Sequence, residues 1–212
     1  MGQRKRDKLT EFNRNNIVEA AKVLFETKGI AQTTMDDIAK KAEYSKSTIY
    51  VYFKSKDEIY NYIIFESMEL LKNRLSETVA DHLDFEDCFF SICRNLEQFQ
   101  QEYPLYFDSI LSEISIHEED FIQYPILKEI YRTGEEMNEV LLNLIEKGIA
   151  SGNLRPDMRP MPTIFMLWAS LGGIIKMAEQ KKHYFEEKLQ LSKQTYLEHS
   201  YQMLFDGLKG GK

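Results

Sequence analysis

Turn-forming residues are scarce in this chain. Only 5 Pro and 10 Gly occur among 212 residues, too few and too widely spaced for the regular turns of a β-sandwich. Cysteine is scarcer: Cys88 and Cys93 are the two. Two thiols cannot build a disulfide framework. On one helix they stand about 140° apart around the axis, so they do not converge on a metal. They read as small apolar residues of a reducing compartment. The longest uncharged run in the C-terminal half, Pro160 to Ile175, is sixteen residues broken by Ser, Thr, Pro and two Gly. That is short of the roughly 20 apolar residues of a membrane span. The first residues, Met-Gly-Gln-Arg-Lys-Arg-Asp-Lys, have no apolar stretch behind them and do not form a secretory signal. The expectation is a cytoplasmic protein.

Catalytic patterns are also missing. The sequence has no Gly-x-Ser-x-Gly, no Gly-rich phosphate loop ending in Lys-Ser/Thr and no His-Glu-x-x-His. Carboxylate pairs such as Asp36-Asp37 and Glu118-Glu119 are adjacent, and neighbouring helix positions do not face one another. His117-Glu-Glu-Asp120 lacks metal-ligand spacing and reads as a solvated loop or helix end. His82, His183 and His199 are isolated among polar residues. Neither an enzyme nor a bound metal or cofactor is expected. An all-helical enzyme would have only Glu113 and His117 to work with.

What is present is an uneven charge. Residues 1–60 carry 12 Lys+Arg against 9 Asp+Glu, and the remainder 15 against 25, within a total of −7. Such acidity excludes a general polyanion binder. It leaves room for DNA binding by the basic N-terminal part, because phosphate affinity follows the local field. Aromatics are abundant, with 13 Phe, 12 Tyr and 1 Trp, enough for a well-filled core or an aromatic-lined cavity.

Helical periodicity runs throughout. Ile17, Ala20, Ala21, Leu24 and Phe25 lie on one face, and Gly29 supplies a stop. Thr34 with Asp37 forms an N-cap signature for a short helix to about Ala42. Ser45 opens a second short helix, Lys46 to about Phe53. Ser55-Lys-Asp-Glu58 is a capping box that opens a long helix to about Ala80. Asp84 caps the next, with the stripe Phe85, Phe89, Ile92, Leu96 and Phe99. Further helices are expected at about 105–116, 125–150, 160–181 and 192–208, the last capped by Ser192. This amounts to an all-α protein of about nine helices.

Two short helices joined by a tight Glu43-Tyr44 connection have the size of a helix-turn-helix. Ile38, Ala39, Ile49 and Phe53 can lock the pair against the helix of Ile17 and Leu24. Lys46, Ser47, Thr48, Tyr50 and Tyr52 are then left to face elsewhere. Their donors, methyl group and ring edges suit base edges or phosphates in a major groove. Thr34, Ser45 and Lys56 sit at helix starts, where free N–H groups favour phosphate.

These residues carry a resemblance to the TetR family of bacterial transcriptional regulators. The matching strings are Thr33-Thr-Met-Asp-Asp-Ile-Ala-Lys-Lys-Ala42, Ser45-Lys-Ser-Thr-Ile-Tyr50 and Tyr52-Phe-Lys-Ser-Lys-Asp-Glu-Ile59. Ile17, Ala20, Phe25 and Gly29 match the family's first helix. A fainter similarity covers Ile145-Glu-Lys-Gly-Ile-Ala-Ser-Gly-Asn-Leu-Arg-Pro156. One departure is Glu43, where the family often has Gly. A left-handed residue is expected there, at a cost of about 1 kcal/mol or a little more for a side chain.

The resemblance implies that Lys46, Ser47, Thr48 and Tyr52 face the major groove and that Thr34, Ser45, Tyr50 and Lys56 hold phosphates. Tyr50 can equally pack its ring into the core. Arg4, Lys5, Arg6 and Lys8 form either a DNA-following arm or a solvated tail. The resemblance further implies a DNA-binding domain at 1–55 and a larger helical ligand-binding and dimerisation domain at 56–212. Pocket candidates there are Phe65, Phe89, Phe107 and Trp168, with Glu113 and His117 as polar options; each aromatic can instead be ordinary core. Ile164, Leu167, Trp168, Leu171 and Ile175, with Leu204, Phe205 and Leu208, form stripes on the last two helices. These suit a homodimer contact, unless a monomer buries both stripes internally. The expected function is a dimeric repressor that reads a near-palindromic operator and is released by a small, largely apolar or aromatic effector. The rival is a helix-turn-helix adaptor whose acidic C-terminal part binds a protein. A cavity of several hundred Å³ favours the effector, and a dry packed core favours the adaptor.

Overall fold

The computed structural model describes residues 2–81, 84–111 and 117–210, with side chains from residue 6 onward. Among these, eleven helices carry the fold: α1 (Gly2–Lys28), α2 (Met35–Lys41), α3 (Lys46–Tyr52), α4 (Lys56–Asp81), α5 (Phe85–Glu102), α6 (Pro104–Ile110), α7 (Glu118–Gln123), α8 (Pro125–Ala150), α9 (Pro160–Gln180), α10 (Lys182–Leu189) and α11 (Lys193–Leu208). The all-α expectation holds. The two helices beyond the expected nine are α7 and α10, each too short to show a periodic stripe. Neither has a side-chain cap at its start.

The described residues divide into two compact units. One comprises the chain up to Glu66 together with 117–130. The other comprises 67–81, 84–111 and 131–210. Two helices, α4 and α8, run from one unit into the other.

The first unit is built on a small apolar core. Ile17, Ala21 and Phe25 of α1, Ile38 of α2, Ile49 of α3, Phe53, and Ile59 and Ile63 of α4 are all buried. Burial of each large side chain stabilises the unit by about 1.5–3 kcal/mol. Phe25 meets the Tyr60 ring edge-on at 6.1 Å. Gly29 ends α1 with a φ of +85°, and its N–H donates to the Phe25 carbonyl at 3.1 Å. A β-carbon is disfavoured in that conformation.

In the second unit the apolar stripe of α5 is buried as its spacing predicts: Phe85, Phe89, Ile92, Leu96 and Phe99. Cys88 and Cys93 lie beside it, free and buried. Burial pushes the Cys88 thiol up to about 11 and the Cys93 thiol higher still. Neither forms a reactive thiolate at neutral pH.

Helix α9 has the expected extent, but it departs from the sequence reading in two ways. Counted with its charged end it has 21 residues, and by length and composition alone it is long and apolar enough to cross a membrane. Its inner face is Ile164, Leu167, Leu171 and Ile175, all buried within the protomer. These residues, with Phe205 and Leu208 of α11, therefore belong to the internal packing of α5, α9 and α11. They are not a free subunit surface. The exposed apolar ridge of α9 is instead Met161, Phe165, Met166, Ala169, Gly173 and Met177.

Candidate functional site

Helices α2 and α3 have seven residues each, too few to be stable alone. Their ends are therefore closed by side chains. The Thr34 hydroxyl accepts from the Asp37 N–H at 3.1 Å, and the Asp37 carboxylate accepts from the Thr34 N–H at 2.9 Å. Lys28 donates to the same carboxylate at 2.6 Å. The Lys28 ammonium, followed by the Thr34 N–H and hydroxyl, holds the Asp37 acid down at about 2. Ser45 caps α3 by accepting from the Thr48 N–H at 3.1 Å. Its hydroxyl also lies 2.8 Å from that of Ser47 and 2.7 Å from that of Thr48.

The turn between the two helices passes through Glu43, with a φ of +60°. The left-handed position expected from the sequence is thus present and carries a non-glycine residue. The next residue, Tyr44, donates its hydroxyl to the Asn13 carbonyl oxygen at 2.9 Å. The Asn13 amide nitrogen donates to the Tyr52 hydroxyl at 2.8 Å. One side chain of α1 thus holds both the turn and the end of α3. Arg14, its neighbour, lies over the rings of Phe53 and Tyr62 at 4.8 and 4.3 Å. Desolvation in this crowded spot raises the Tyr62 phenol.

Ile49 faces inward, so the opposite side of α3 faces solvent. Two positions along the helix is a rotation of about 160° away, measured the short way, and Val51 occupies it with 78% exposure. Lys46, Ser47 and Tyr50 are exposed beside it, and Thr48 and Tyr52 are half-buried. Lys46 pairs with Asp36 of α2 at 2.7 Å, which raises its ammonium. Lys56 donates to the carbonyls of Ile30 at 2.7 Å and Ala31 at 3.3 Å. An ammonium has three protons, so one remains after those two bonds.

All eight residues expected at the interface, from Thr34 to Lys56, therefore fall in the first unit around α2 and α3. Two further residues were not singled out from the sequence. Val51 was legible as the position opposite Ile49. Asn13 was not, because its partners lie 31 and 39 residues away.

The pocket candidates scatter more. Phe89 and Trp168 line one apolar chamber with Phe85, Ile92, Leu96 and Leu141, and its volume is about 30 Å³. Phe107 and Trp168 line a second, of about 10 Å³, with Leu96, Ile110, Leu111 and Gly172. Phe65 is half-buried on α4 in the first unit, its ring 6.3 Å from that of Tyr62. His117 is exposed at the start of α7. Neither lines the chambers. Glu113 lies outside the described residues, as does His82.

Residues 17–63 match the pattern of "Bacterial regulatory proteins, tetR family". The transcriptional regulator YfiR of Bacillus subtilis is 26% identical over 183 residues, covering 81% of this chain and 80% of its own. The transcriptional repressor KstR2 of Mycolicibacterium smegmatis is 20% identical over 184 residues, covering 81% and 86%. Among solved structures, the fatty acid degradation regulator FadR from Bacillus halodurans shares the fold with a TM-score of 0.68 at 17% identity, covering 94% of this chain and 97% of the other. The match at residues 17–63 falls on the buried core, the capped short helices and the left-handed turn described above. Residues 17–63 thus carry the DNA-binding domain of the tetR family of bacterial regulatory proteins, with its helix-turn-helix at α2 and α3.

Proposed function

We propose that this protein is a cytoplasmic repressor that binds a near-palindromic operator as a homodimer and leaves it when a small apolar effector enters the second unit. The observation that carries the DNA half is the surface of α3. Ser47, Tyr50 and Val51 project from a helix anchored on the inside by Ile49 and from the side by Asn13. Ser47 and Thr48 hydroxyls can bond base edges, and the Val51 methyls suit a thymine methyl. Lys46 and Tyr52 face the groove beside them, and Thr34, Ser45, Tyr50 and Lys56 surround them and supply phosphate contacts. Residues 1–55 are the DNA-binding part of this reading and 56–212 the effector and dimer part.

Dimerisation is supported by the exposed ridge Phe165, Ala169, Gly173 and Met177, spaced four apart on α9. Small residues between large ones let a second helix approach closely, and a two-fold axis would place the same ridge on both partners. The sign of regulation follows KstR2, whose name is that of a repressor. An apolar effector follows from the lining of the two chambers and from the likeness to FadR, a fatty acid degradation regulator.

The chamber volumes favour the second reading, an adaptor governed by a protein partner. About 30 and 10 Å³ is far below the several hundred Å³ of an open ligand pocket. Under the effector reading, a ligand seated at these two chambers needs them to widen.

The test is fluorescence anisotropy on DNA upstream of the protein's own gene, with random competitor at stated salt. Specific binding is expected. Thr48→Ala and Val51→Ala should relax sequence choice, whereas Lys56→Ala should weaken all sequences alike and lower the salt slope by about one. Absence of specific binding in a genome-wide selection would overturn the reading.

A further inference from the structure

The two chambers of the second unit share two walls, Leu96 and Trp168. Trp168 lines both chambers and is itself half-buried. A single hydrogen bond holds its polar edge: the indole N–H donates to the Asn138 side-chain oxygen at 3.1 Å. The Asn138 amide in turn donates to Glu135 at 3.4 Å. Behind the indole, Gly172 leaves a notch filled by Leu111. A β-carbon there would run into the Leu111 side chain.

The geometry points to Trp168 as a gate, latched by Asn138, whose outward swing joins the two chambers into one channel for a linear aliphatic chain. This rests on the effector reading above and names its ligand class and route. The larger chamber follows α5 along Phe85, Phe89, Ile92 and Leu96. The eleven helical steps from Phe85 to Leu96 extend about 16 Å. Beyond Leu96 the smaller chamber adds Phe107 and Ile110 of α6. Every lining residue of both chambers is apolar or Gly, so the bound portion is uncharged. A polymethylene chain needs only a narrow passage, which displacing one indole supplies. A fused-ring molecule would have to push α5 and α8 apart along their length. The latch is one hydrogen bond between half-exposed groups, so releasing it changes an equilibrium by about fivefold to tenfold.

Trp168 is the one tryptophan of the chain, and its emission reports the gate directly. The experiment titrates 1-dodecanol and 1-octanol into wild type and Asn138→Ala, reading Trp168 emission and operator binding in parallel. Circular dichroism melting checks that the variant is folded. Three results are expected: emission shifts on binding, dodecanol binds at least tenfold more tightly than octanol, and Asn138→Ala binds dodecanol about fivefold more tightly than wild type. A second variant, Phe107→Trp, fills the smaller chamber and should abolish the preference for the longer alcohol, read by competition with operator DNA. Emission unmoved by dodecanol in both proteins overturns the gate. Equal affinity for both alcohols overturns the joining of the chambers. If dodecanol releases the operator while Trp168 emission is unchanged, the gate is overturned and the effector reading survives elsewhere. If emission shifts as expected while operator binding is unchanged, the gate stands and the effector reading fails.

Discussion

Asn13 donates to the Tyr52 hydroxyl at 2.8 Å, and that contact ties the first helix to the far end of α3. The same carboxamide accepts from Tyr44 in the turn. The orientation of α3 therefore depends on a side chain outside the helix-turn-helix itself. Asn13→Ala removes both bonds. It should lower stability by about 1–2 kcal/mol, the net worth of two partly exposed hydrogen bonds. Discrimination between operator and random DNA should fall more than affinity for random DNA, because base contacts demand orientation and phosphate contacts tolerate its loss. Equal loss on both would show that Asn13 contributes stability only.

Glu43 sits at a φ of +60°. Glycine adopts that conformation without the clash of a β-carbon, although its unfolded chain has more freedom to lose. The balance predicts that Glu43→Gly raises stability by about 0.5 kcal/mol. A thermal or urea midpoint is the measurement, and a lower midpoint would show that the turn is not strained.

Acid should loosen the first unit through Asp37. Its carboxyl is held down at about 2 from a usual 3.8. The folded state therefore prefers the ionised form more than the unfolded chain does. That preference contributes stability in full above about pH 4, and it is lost as pH falls through 2. Asp37→Asn should melt earlier than wild type at pH 6, with the gap closing toward pH 2. Because the pair with Lys28 is partly exposed, added salt should narrow the gap as well. A gap that does not change with pH would assign the effect to capping alone.

Phe165 is 58% exposed on the outer ridge of α9. Phe165→Asp places a charge at the centre of the proposed dimer face, where an unpaired charge is costly to bury. Light scattering should show wild type at twice the chain mass and the variant at one chain mass. Operator affinity should fall steeply, because one half-site gives up the contacts of the other. A wild-type mass of one chain would move the interface elsewhere or remove it.

Local chemistry was readable from the chain alone. Thr34, Ser45, Asp84 and Ser192 were each expected to cap a helix, and each accepts from backbone N–H groups at the start of one. The inward positions Ile17, Ile38, Ile49 and Phe53 followed from spacing of three and four, and all are buried. The left-handed residue at Glu43 came instead from the resemblance, in which Gly often stands at that turn. These features depend on residues within about one helical turn of each other, where spacing and geometry are linked. Other features required distant partners. Helix α9 is apolar on most of its surface, so periodicity could not say that Ile164 and Leu171 face inward while Phe165 and Gly173 face out. Packing against α5 and α11 decided it. Asn138 meets Trp168 across 30 residues, and Asn13 meets Tyr52 across 39. No local rule encodes such pairs, because a side-chain amide can bond to any donor or acceptor brought within reach. The sequence alone determined the helices, their caps and the side of α3 left free, because these follow from local spacing. The tertiary structure decided which polar groups hold that helix in place and which face of α9 is buried, because both depend on partners far along the chain.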